Sequence, residues 1–384
     1  MKVCFFSPAA YSYFISGGLS LAGGAELQQV LIAEQMVKHG IDVSFIVGDF
    51  GQPDAEIIDG ITLIKSFEPD KGNRKLRFVP DMIKIRRAMQ VADADIYNQR
   101  STSFFTGQLL HFARRLGKRF TFSLGIDYNC YPDCSGLLPP IMAPLYRYGI
   151  NHSDAVIAQT RKQMELLKEN FGRDSVLIRN GINIPPAGDI RSLDDPGDEM
   201  PEFLWVGSIR RRKRPELFIE LARRVKDASF TMVGGKGIDN AFHDEIRGLA
   251  GSVPNLTFLG FIPPSEISQY YRRAYALINT SNLEGFPNTY LHSWSYGVPT
   301  ITMEIDPDSI IEDNRIGYVS GSFEGLVEST IHLCGAPDER AGMSGRARRY
   351  VVENHDIADR GSEYIDLFRK IHSREESITS SRSG

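Results

Sequence analysis

The chain has 384 residues, of which 42% are hydrophobic and 24% are charged, and its formal net charge is −4. This length exceeds one ordinary hydrophobic core and suits two domains of roughly 150–200 residues. No apolar run approaches the roughly 20 residues that span a bilayer, and the acidic balance argues against general nucleic-acid binding. The composition therefore predicts a cytoplasmic protein. The cysteines are typical of a reducing compartment and complete no zinc site at ligand spacing: Cys4, Cys130, Cys134 and Cys334.

Short runs rich in Val, Ile and Phe alternate with amphipathic segments along both halves of the chain, which predicts βα units on parallel sheets. In the first half, strands are predicted at 3–7, 42–47, 61–64, 95–98, 120–124, 155–158 and 176–178. Helices are predicted at 26–39, closed by Gly40, and at 104–116, closed by Gly117. A second series of strands is predicted at 203–207, 230–233, 256–259, 276–279 and 300–303.

This order predicts an α/β fold with two doubly wound, Rossmann-like domains that face a central cleft. The first domain would cover 1–183 and the second 202–356, joined by a linker at 184–201 that is rich in Pro, Asp and Gly. A final amphipathic helix is predicted at 357–372, followed by a polar, disordered tail at 373–384.

The most informative stretch runs from Asn279 to Leu291. It is interpreted as the end of a buried strand, a polar turn that carries Glu284, and a helix that begins near Asn288. Backbone N–H groups and the positive dipole end of a helix suit phosphate, and a neighbouring carboxylate accepts hydrogen bonds from hydroxyls. A sugar diphosphate has both parts. The stretch resembles the signature of GT-B glycosyltransferases of family 4, whose second Glu is replaced here by His292.

The resemblance covers nearly the whole chain and implies a metal-independent, retaining glycosyltransferase without a cofactor. A sugar would move from a nucleoside-diphosphate sugar to a glycan or lipid-linked saccharide acceptor. The first domain would bind the acceptor, the second domain would bind the donor, and the final helix would cross back to the first domain. Two alternatives stay open: a catalytically silent sugar-nucleotide-binding protein, and a nucleotide-sugar epimerase of the same fold.

Cations crowd a loop between a predicted strand and a predicted helix at 206–216. Such cations can neutralise a diphosphate as it leaves a sugar, whereas the alternative is an ordinary solvated charge run. The loop resembles the family's Gly-Arg-x4-Lys motif, with Lys213 at the motif's Lys and Ser208 at its Arg. A glycine-rich loop at 17–26 likewise resembles the family's Gly-Gly-x-Glu loop. The resemblance implies that the diphosphate is bound by Gly23, Gly24, Ser208, Arg210, Arg212 and Lys213.

The remaining site residues also come from the resemblance. It implies that Lys213, Glu284 and Asp127 are catalytic, although Ile126 stands where many relatives have a His. Neutral His292 would accept from the ribose, so donor binding is expected to weaken from pH 8 to pH 6; the alternative is an ordinary core or surface histidine. The implied sugar contacts are Glu284, Gly285, Phe286, Asn288 and Thr289, and the implied nucleoside contacts are Gly260, Phe261, Ile262 and His292.

Two further patterns concern charge. Residues 71–87 have a local charge balance of +6 and interleaved apolar residues, which fits contact with an anionic membrane or an ordinary exposed helix. Asp93 and Asp95 form an Asp-x-Asp pattern, which is the metal-binding motif of the other main glycosyltransferase fold. Because this pattern precedes a strand of the first domain, we interpret it as a chance match and expect no metal site.

Overall fold

The computed structural model describes residues 1–15, 23–69, 74–136, 138–189, 200–237 and 239–380, with 74–77, 135, 189 and 374–380 as backbone only. The chain divides into two compact units. Unit 1 comprises Met1–Gly181 and Ile357–Gly384, and unit 2 comprises Ile182–Asp356. Each unit contains its own sheet with helices packed on it, so the predicted α/β fold with two domains is confirmed.

The sheet of unit 1 is parallel except at one edge. Over the described residues its strands are β1 Lys2–Phe6, β2 Asp42–Val47, β3 Ala55–Ile58, β4 Ile61–Lys65, β5 Ile96–Arg100, β6 Arg119–Ser123, β7 Ala155–Ala158 and β8 Val176–Leu177. Their spatial order is β3-β4-β2-β1-β5-β6-β7-β8. The antiparallel edge strand β3 was not predicted, because its side chains are largely exposed and form no continuous apolar run. The strand order reverses between β1 and β5, which is the switch point where open α/β sheets bind ligands.

Helices cover both faces of this sheet. The first five are α1 Gly24–Lys38, α2 Arg74–Ala92, α3 Thr106–Arg115, α4 Ala143–His152 and α5 Arg161–Phe171. Alternate residues of each strand enter opposite cores, as the period of two in a strand requires. Phe6 and Tyr97 belong to one core, whereas Phe5 and Ile96 belong to the other.

The sheet of unit 2 is parallel throughout its described strands. These strands are β9 Glu202–Val206, β10 Ser229–Val233, β11 Leu256–Gly260, β12 Ala276–Asn279, β13 Thr300–Thr302 and β14 Gly317–Val319. Their order, β11-β10-β9-β12-β13-β14, reverses between β9 and β12. The helices of unit 2 are α6 Pro215–Arg224, α7 Asn240–Ala250, α8 Ser268–Arg273, α9 Asn288–Ser295, α10 Ile310–Asn314, α11 Phe323–Cys334 and α12 Pro337–His355.

The last helix, α13 Ile357–Ser380, returns to unit 1 and packs against α1. The chain enters unit 2 at Ile182, whose N–H donates to the carbonyl of His355 at 2.8 Å. α13 continues beyond residue 372, so the prediction that residues 373–380 form a disordered tail is wrong. Arg374 and its two following glutamates are good helix formers, which explains the extension. Residues 381–384 and most of the predicted linker, 190–199, lie outside the described residues. Within the described helices, none has the length and apolar character needed to cross a membrane.

Candidate active site

Two loops meet at the switch point of unit 2, one after β9 and one after β12. The first contains a single 3-10 turn, Arg211–Lys213, before α6. The N–H of Asn282 in the second loop donates to the carbonyl of Arg212 at 3.0 Å. The hydroxyl of Thr280 donates to the carbonyl of Lys213 at 2.6 Å and accepts from the indole N–H of Trp205 at 3.0 Å. These contacts fix the two loops side by side.

Arg214 strengthens the same connection. Its Nε donates to the carbonyl of Thr280 at 2.6 Å, and its Nη2 lies 2.9 Å from the carboxylate of Glu304. Its backbone is left-handed, with φ of 47°, immediately before Pro215 at the start of α6. Arg214 was not among the predicted site residues, because a cation next to a helix start does not indicate this long-range contact.

Glu284 is the centre of the candidate site. Its Oε1 accepts from the Nζ of Lys213 at 2.5 Å and from the hydroxyl of Ser281 at 3.0 Å. Arg212 Nη1 lies 3.6 Å from Oε2 of the same carboxylate. The Glu284 side chain is 10% exposed and that of Lys213 is 15% exposed. Burial alone would raise the pKa of Glu284, but the two cations and the hydrogen bonds outweigh it and hold the pKa below its usual value. The carboxylate is therefore ionised at neutral pH.

A close approach explains Gly207 in the first loop. A Cβ at this position would lie 2.9 Å from Cδ of Lys213 and 3.3 Å from the ring of Trp205. Gly207 thus leaves room for the aliphatic part of Lys213 to pass toward Glu284. Ser208 is the next residue of this loop and is partly buried.

The neighbouring arginines have different positions. Arg212 approaches Glu284, and its Nη1 also donates to the carbonyl of Leu283 at 2.9 Å. The guanidinium of Arg211 instead lies 4.4 Å from the ring centre of Phe242 and forms an exposed ion pair. Arg210 is exposed at the start of the turn. Of these three arginines, Arg212 is the one that the structure brings to the Lys213 and Glu284 pair.

The loop that carries Glu284 leads directly into helix α9. α9 begins at Asn288, after Pro287, and the N–H groups of a first helical turn have no intrahelical acceptor. Thr289 is partly exposed in this turn, whereas Gly285 is buried. The Phe286 ring is also buried and packs in the core of unit 2, so a contact of this residue with a ligand would have to come from its backbone.

The structure corrects the pH dependence expected from His292, whereas the contact of this residue with the nucleoside stays a prediction. Its imidazole stacks on Tyr271, with ring centres 5.4 Å apart and an angle of 17° between the rings. Burial lowers the pKa of His292 to about 4, so the ring does not titrate between pH 8 and pH 6. The expected pH dependence of donor binding therefore has no source in this residue. Ile262 packs against the same core as Tyr271, Gly260 has a φ of 72°, and Phe261 is 41% exposed after β11.

The predicted residues of the first domain lie in unit 1. Asp127 follows β6, and its carboxylate contacts Lys162 Nζ at 2.9 Å and Gln163 Nε2 at 3.2 Å. These contacts anchor the loop to the start of α5. Gly23 and Gly24 begin α1, and the N–H of Gly23 donates to Glu26 Oε2 at 2.9 Å. Residues 16–22, which hold the rest of the glycine-rich loop, lie outside the described residues.

The Asp-x-Asp pattern has a structural role in unit 1. Lys118 Nζ lies 3.0 Å from Asp93 and 3.6 Å from Asp95, and Asp95 also accepts from the N–H of Lys2 at 2.8 Å. The described part of the chain contains no group of three His, Cys, Asp or Glu residues arranged to hold a metal ion.

Comparisons with known proteins identify the family of the chain. Residues 22–184 match the family model described as Glycosyltransferase Family 4, and residues 200–335 match the one described as Glycosyl transferases group 1. The chain is 22% identical over 303 residues to an alpha-monoglucosyldiacylglycerol synthase from Acholeplasma laidlawii, covering 72% of this chain and 75% of that protein.

Solved structures show the same fold. A sucrose-phosphate synthase from Thermosynechococcus elongatus has a TM-score of 0.82 at 16% identity, with coverage of 97% of this chain and 99% of that one. HepE from Anabaena, solved in complex with UDP-glucose, has a TM-score of 0.74 at 14% identity, with coverage of 96% and 100%. Together with the two family matches, these likenesses confirm the resemblance seen in the sequence: the chain belongs to the family 4 glycosyltransferases and has the GT-B fold.

Proposed function

We propose that the chain is a retaining, metal-independent glycosyltransferase that moves a hexosyl-type group from a nucleoside-diphosphate sugar to a glycan or lipid-linked saccharide. The observation that carries this proposal is the convergence of Lys213, Arg212 and Glu284 at the switch point of unit 2. The site thus combines cations that suit a diphosphate with a carboxylate that suits sugar hydroxyls. The family resemblance supports retention of the anomeric configuration, and the charges of the site support a nucleoside-diphosphate sugar as the donor.

The same geometry suggests how the residues act. Lys213 and Arg212 would bind the diphosphate and stabilise the negative charge that grows on it as the sugar bond breaks. Glu284 would accept hydrogen bonds from the sugar hydroxyls, and the first turn of α9 would donate to the phosphates. Donor binding would exchange partners at this pair, with the sugar hydroxyls replacing Lys213 at the carboxylate and the cations turning to the phosphates.

A panel of UDP-, GDP-, ADP- and dTDP-sugars tests the donor proposal. HepE was solved with UDP-glucose, so we expect a UDP-hexose to raise the melting temperature most. At about 100 times its Kd, a ligand stabilises the fold by about 2.7 kcal/mol. A transferase also releases free nucleoside diphosphate, which a silent binding protein does not, whereas an epimerase changes the sugar and leaves it attached. Binding without release would contradict the proposal.

Two further measurements test the mechanism. Proton NMR of the product should show the same anomeric configuration as the donor, and inversion would contradict retention. Activity should also persist in excess EDTA, with equal rates when Mg²⁺ or Mn²⁺ is added back. A loss of activity in EDTA that a metal restores would contradict metal independence.

For the acceptor, we propose a lipid-linked saccharide that the protein reaches at an anionic membrane surface. The name of the Acholeplasma relative indicates a glycolipid product. In this chain, α2 has an exposed face that combines apolar and basic side chains, as interfacial helices do. The exposed residues of that face include Val79, Ile83, Lys84, Arg86, Arg87 and Val91. A cavity of about 410 Å³ between α2 and the β3–β4 edge is lined by Lys84 and Arg87 and also by Asp49 and Asp54, and Asp54 pairs with Lys65 at 2.9 Å, so the basic character lies on α2 itself.

Sedimentation with anionic vesicles tests this contact. A variant with Lys84→Gln, Arg86→Gln and Arg87→Gln should bind about 100-fold more weakly than the parent, because each cation contributes about 1 kcal/mol near such a surface. The matched control removes three exposed cations of unit 2, with Lys226→Gln, Arg247→Gln and Arg272→Gln. Equal loss in both variants, or no vesicle binding at low salt, would leave α2 as an ordinary exposed helix.

A further inference from the structure

The switch point of unit 1 also carries a cation, and its partners are unusual. Arg100 is the last residue of β5, which adjoins β1 at the point where the strand order reverses. Its Nη2 donates to Oε1 of Gln159 at 2.9 Å and to Oδ1 of Asn180 at 2.7 Å. Both partners are neutral amides, and the third side chain that interacts with the guanidinium is the hydroxyl of Tyr364. By contrast, Lys213 in unit 2 is paired with a carboxylate.

The charge of Arg100 is not neutralised within the described part of unit 1. No carboxylate there forms an ion pair with it, and its Nε is buried without an acceptor. Glu26 contributes an attractive field, but its Oε2 already accepts from the N–H of Gly23. Burial lowers the pKa of Arg100, yet an arginine remains charged in proteins. A poorly hydrated cation without an anionic partner is costly to fold, so a binding role accounts for it better than a structural one.

The surroundings hold Arg100 in one orientation. The Nε2 of Gln159 donates to the carbonyl of Gly125 at 2.7 Å, which directs its Oε1 to the guanidinium. Ser101, the next residue after Arg100, has a left-handed backbone with φ of 64°, and its N–H donates to the carbonyl of Ser123 at 2.9 Å. The guanidinium is thus fixed at the carboxyl ends of the strands, and the side chain is still partly exposed.

We propose that Arg100 is an anion-recognition residue of unit 1, which binds a phosphate or carboxylate group of the acceptor. The acceptor role rests on the proposed function, whereas binding of the oxyanion itself does not. Arginine presents planar N–H donors that match both kinds of oxyanion. A bound oxyanion would supply the negative charge that Gln159 and Asn180 lack. The proposal therefore assigns an acidic acceptor, either a phosphate-linked saccharide or a sugar acid.

Calorimetry with inorganic phosphate and with glucuronate tests binding directly. The full chain is first saturated with UDP, so that the cations of unit 2 are occupied, and ionic strength is held constant. Arg100→Gln should weaken binding of the preferred anion at least about tenfold, because the anion loses its charge-assisted hydrogen bonds. Arg100→Lys, which keeps the charge and loses the planar donors, should lie between the parent and Arg100→Gln.

Arg173→Gln is the matched control. Arg173 is also a partly buried arginine of unit 1 with an unpartnered Nε, but it donates to backbone carbonyls at the end of α4, including Asn151 O at 2.6 Å. This variant should lose stability and keep the anion affinity. The proposal is overturned if neither anion binds the parent, if folded Arg100→Gln binds as the parent does, or if Arg173→Gln loses the same affinity.

Kinetics separates this inference from the proposed function. With an acidic acceptor, Arg100→Gln should raise KM for the acceptor at least about tenfold and change kcat less than about threefold, near 0.7 kcal/mol. A phosphate-linked acceptor and a uronic-acid acceptor are assayed side by side, and the one whose KM depends on Arg100 identifies the source of the anion. If Arg100-dependent anion binding is found but no donor is turned over, the proposed function fails and the anion site stands. If donor turnover is found and anion binding does not depend on Arg100, only this inference fails.

Discussion

Lys213 and Glu284 depend on each other at the scale of single residues. We expect Lys213→Ala to lower the transfer rate by about 100–1000-fold, because one charge donor to a developing anion is lost. The variant should also lose about 1–3 kcal/mol of stability, since a largely buried carboxylate loses its closest partner. Nucleotide-release assays and urea unfolding measure both effects. A rate within about threefold of the parent's would exclude this role for Lys213.

The Glu284→Gln variant distinguishes recognition of the sugar from recognition of the diphosphate. The change removes a charge that now holds Lys213 and Arg212, so affinity for free nucleoside diphosphate should be maintained or increase. Transfer should fall at least about tenfold, near 1.4 kcal/mol, because the hydrogen bonds to the sugar hydroxyls weaken. Calorimetry and a transfer assay on one preparation measure the two quantities. A parallel loss of nucleotide affinity and transfer would mean that Glu284 acts as a structural partner of the cations.

His292 should affect acid stability instead of donor binding. Its pKa is about 4 in the folded protein and 6.5 when unperturbed, so the unfolded chain binds more protons between these values. The folded protein therefore has its full stability with respect to His292 above about pH 6.5. That stability is lost progressively as the pH falls toward 4, because the unfolded chain takes up the proton first. His292→Phe keeps the ring on Tyr271 and should reduce the loss of stability between pH 7 and pH 5. Identical pH profiles of melting temperature would show that the ring is freely protonated.

At the scale of elements, the link between the loops after β9 and β12 determines whether the site residues meet. Arg214→Ala removes two hydrogen bonds across this link and a third to Glu304 after β13, and it leaves a non-glycine residue with positive φ. We expect a loss of about 2 kcal/mol and a melting temperature of unit 2 that is about 4–8 °C lower. Arg211→Ala, three residues earlier, is the control: it loses an exposed contact with Phe242 and should cost less than about 1 kcal/mol. Similar effects of both changes would argue against the link.

The sequence predicted these elements unevenly, for physical reasons. β12, Glu284 and α9 were found because a buried strand, a polar turn and a helix start are local patterns. Arg214 and Thr280 were missed because their role depends on contacts between loops that are 66 residues apart in the chain. β14 was also missed, since its three residues are only partly buried and give no apolar run. The stacking of His292 on Tyr271 is likewise a tertiary contact, and it overrides the ordinary titration of the residue.

At the scale of the whole molecule, unit 1 is completed by the far end of the chain. α13 contributes Tyr364, Ile365, Phe368 and Ile371 to the core beside α1. Each buried side chain of this kind contributes about 1.5–3 kcal/mol, so their sum rivals the usual total stability of about 5–15 kcal/mol. A chain that ends at Asp356 should therefore lose the folded state of unit 1. A chain that ends at His372 is the control and should melt within a few degrees of the parent, as circular dichroism and calorimetry can measure.

The pairing of Glu284 with Lys213 has a consequence for product release. While a sugar is attached to the diphosphate, its hydroxyls can satisfy the carboxylate and the cations can turn to the phosphates. Once the proposed transfer has removed the sugar, Glu284 would again lack a partner and would compete with the leaving nucleotide for Lys213. The enzyme would thus hold its spent donor less tightly than its loaded one, because the carboxylate takes back the cation that the sugar had freed.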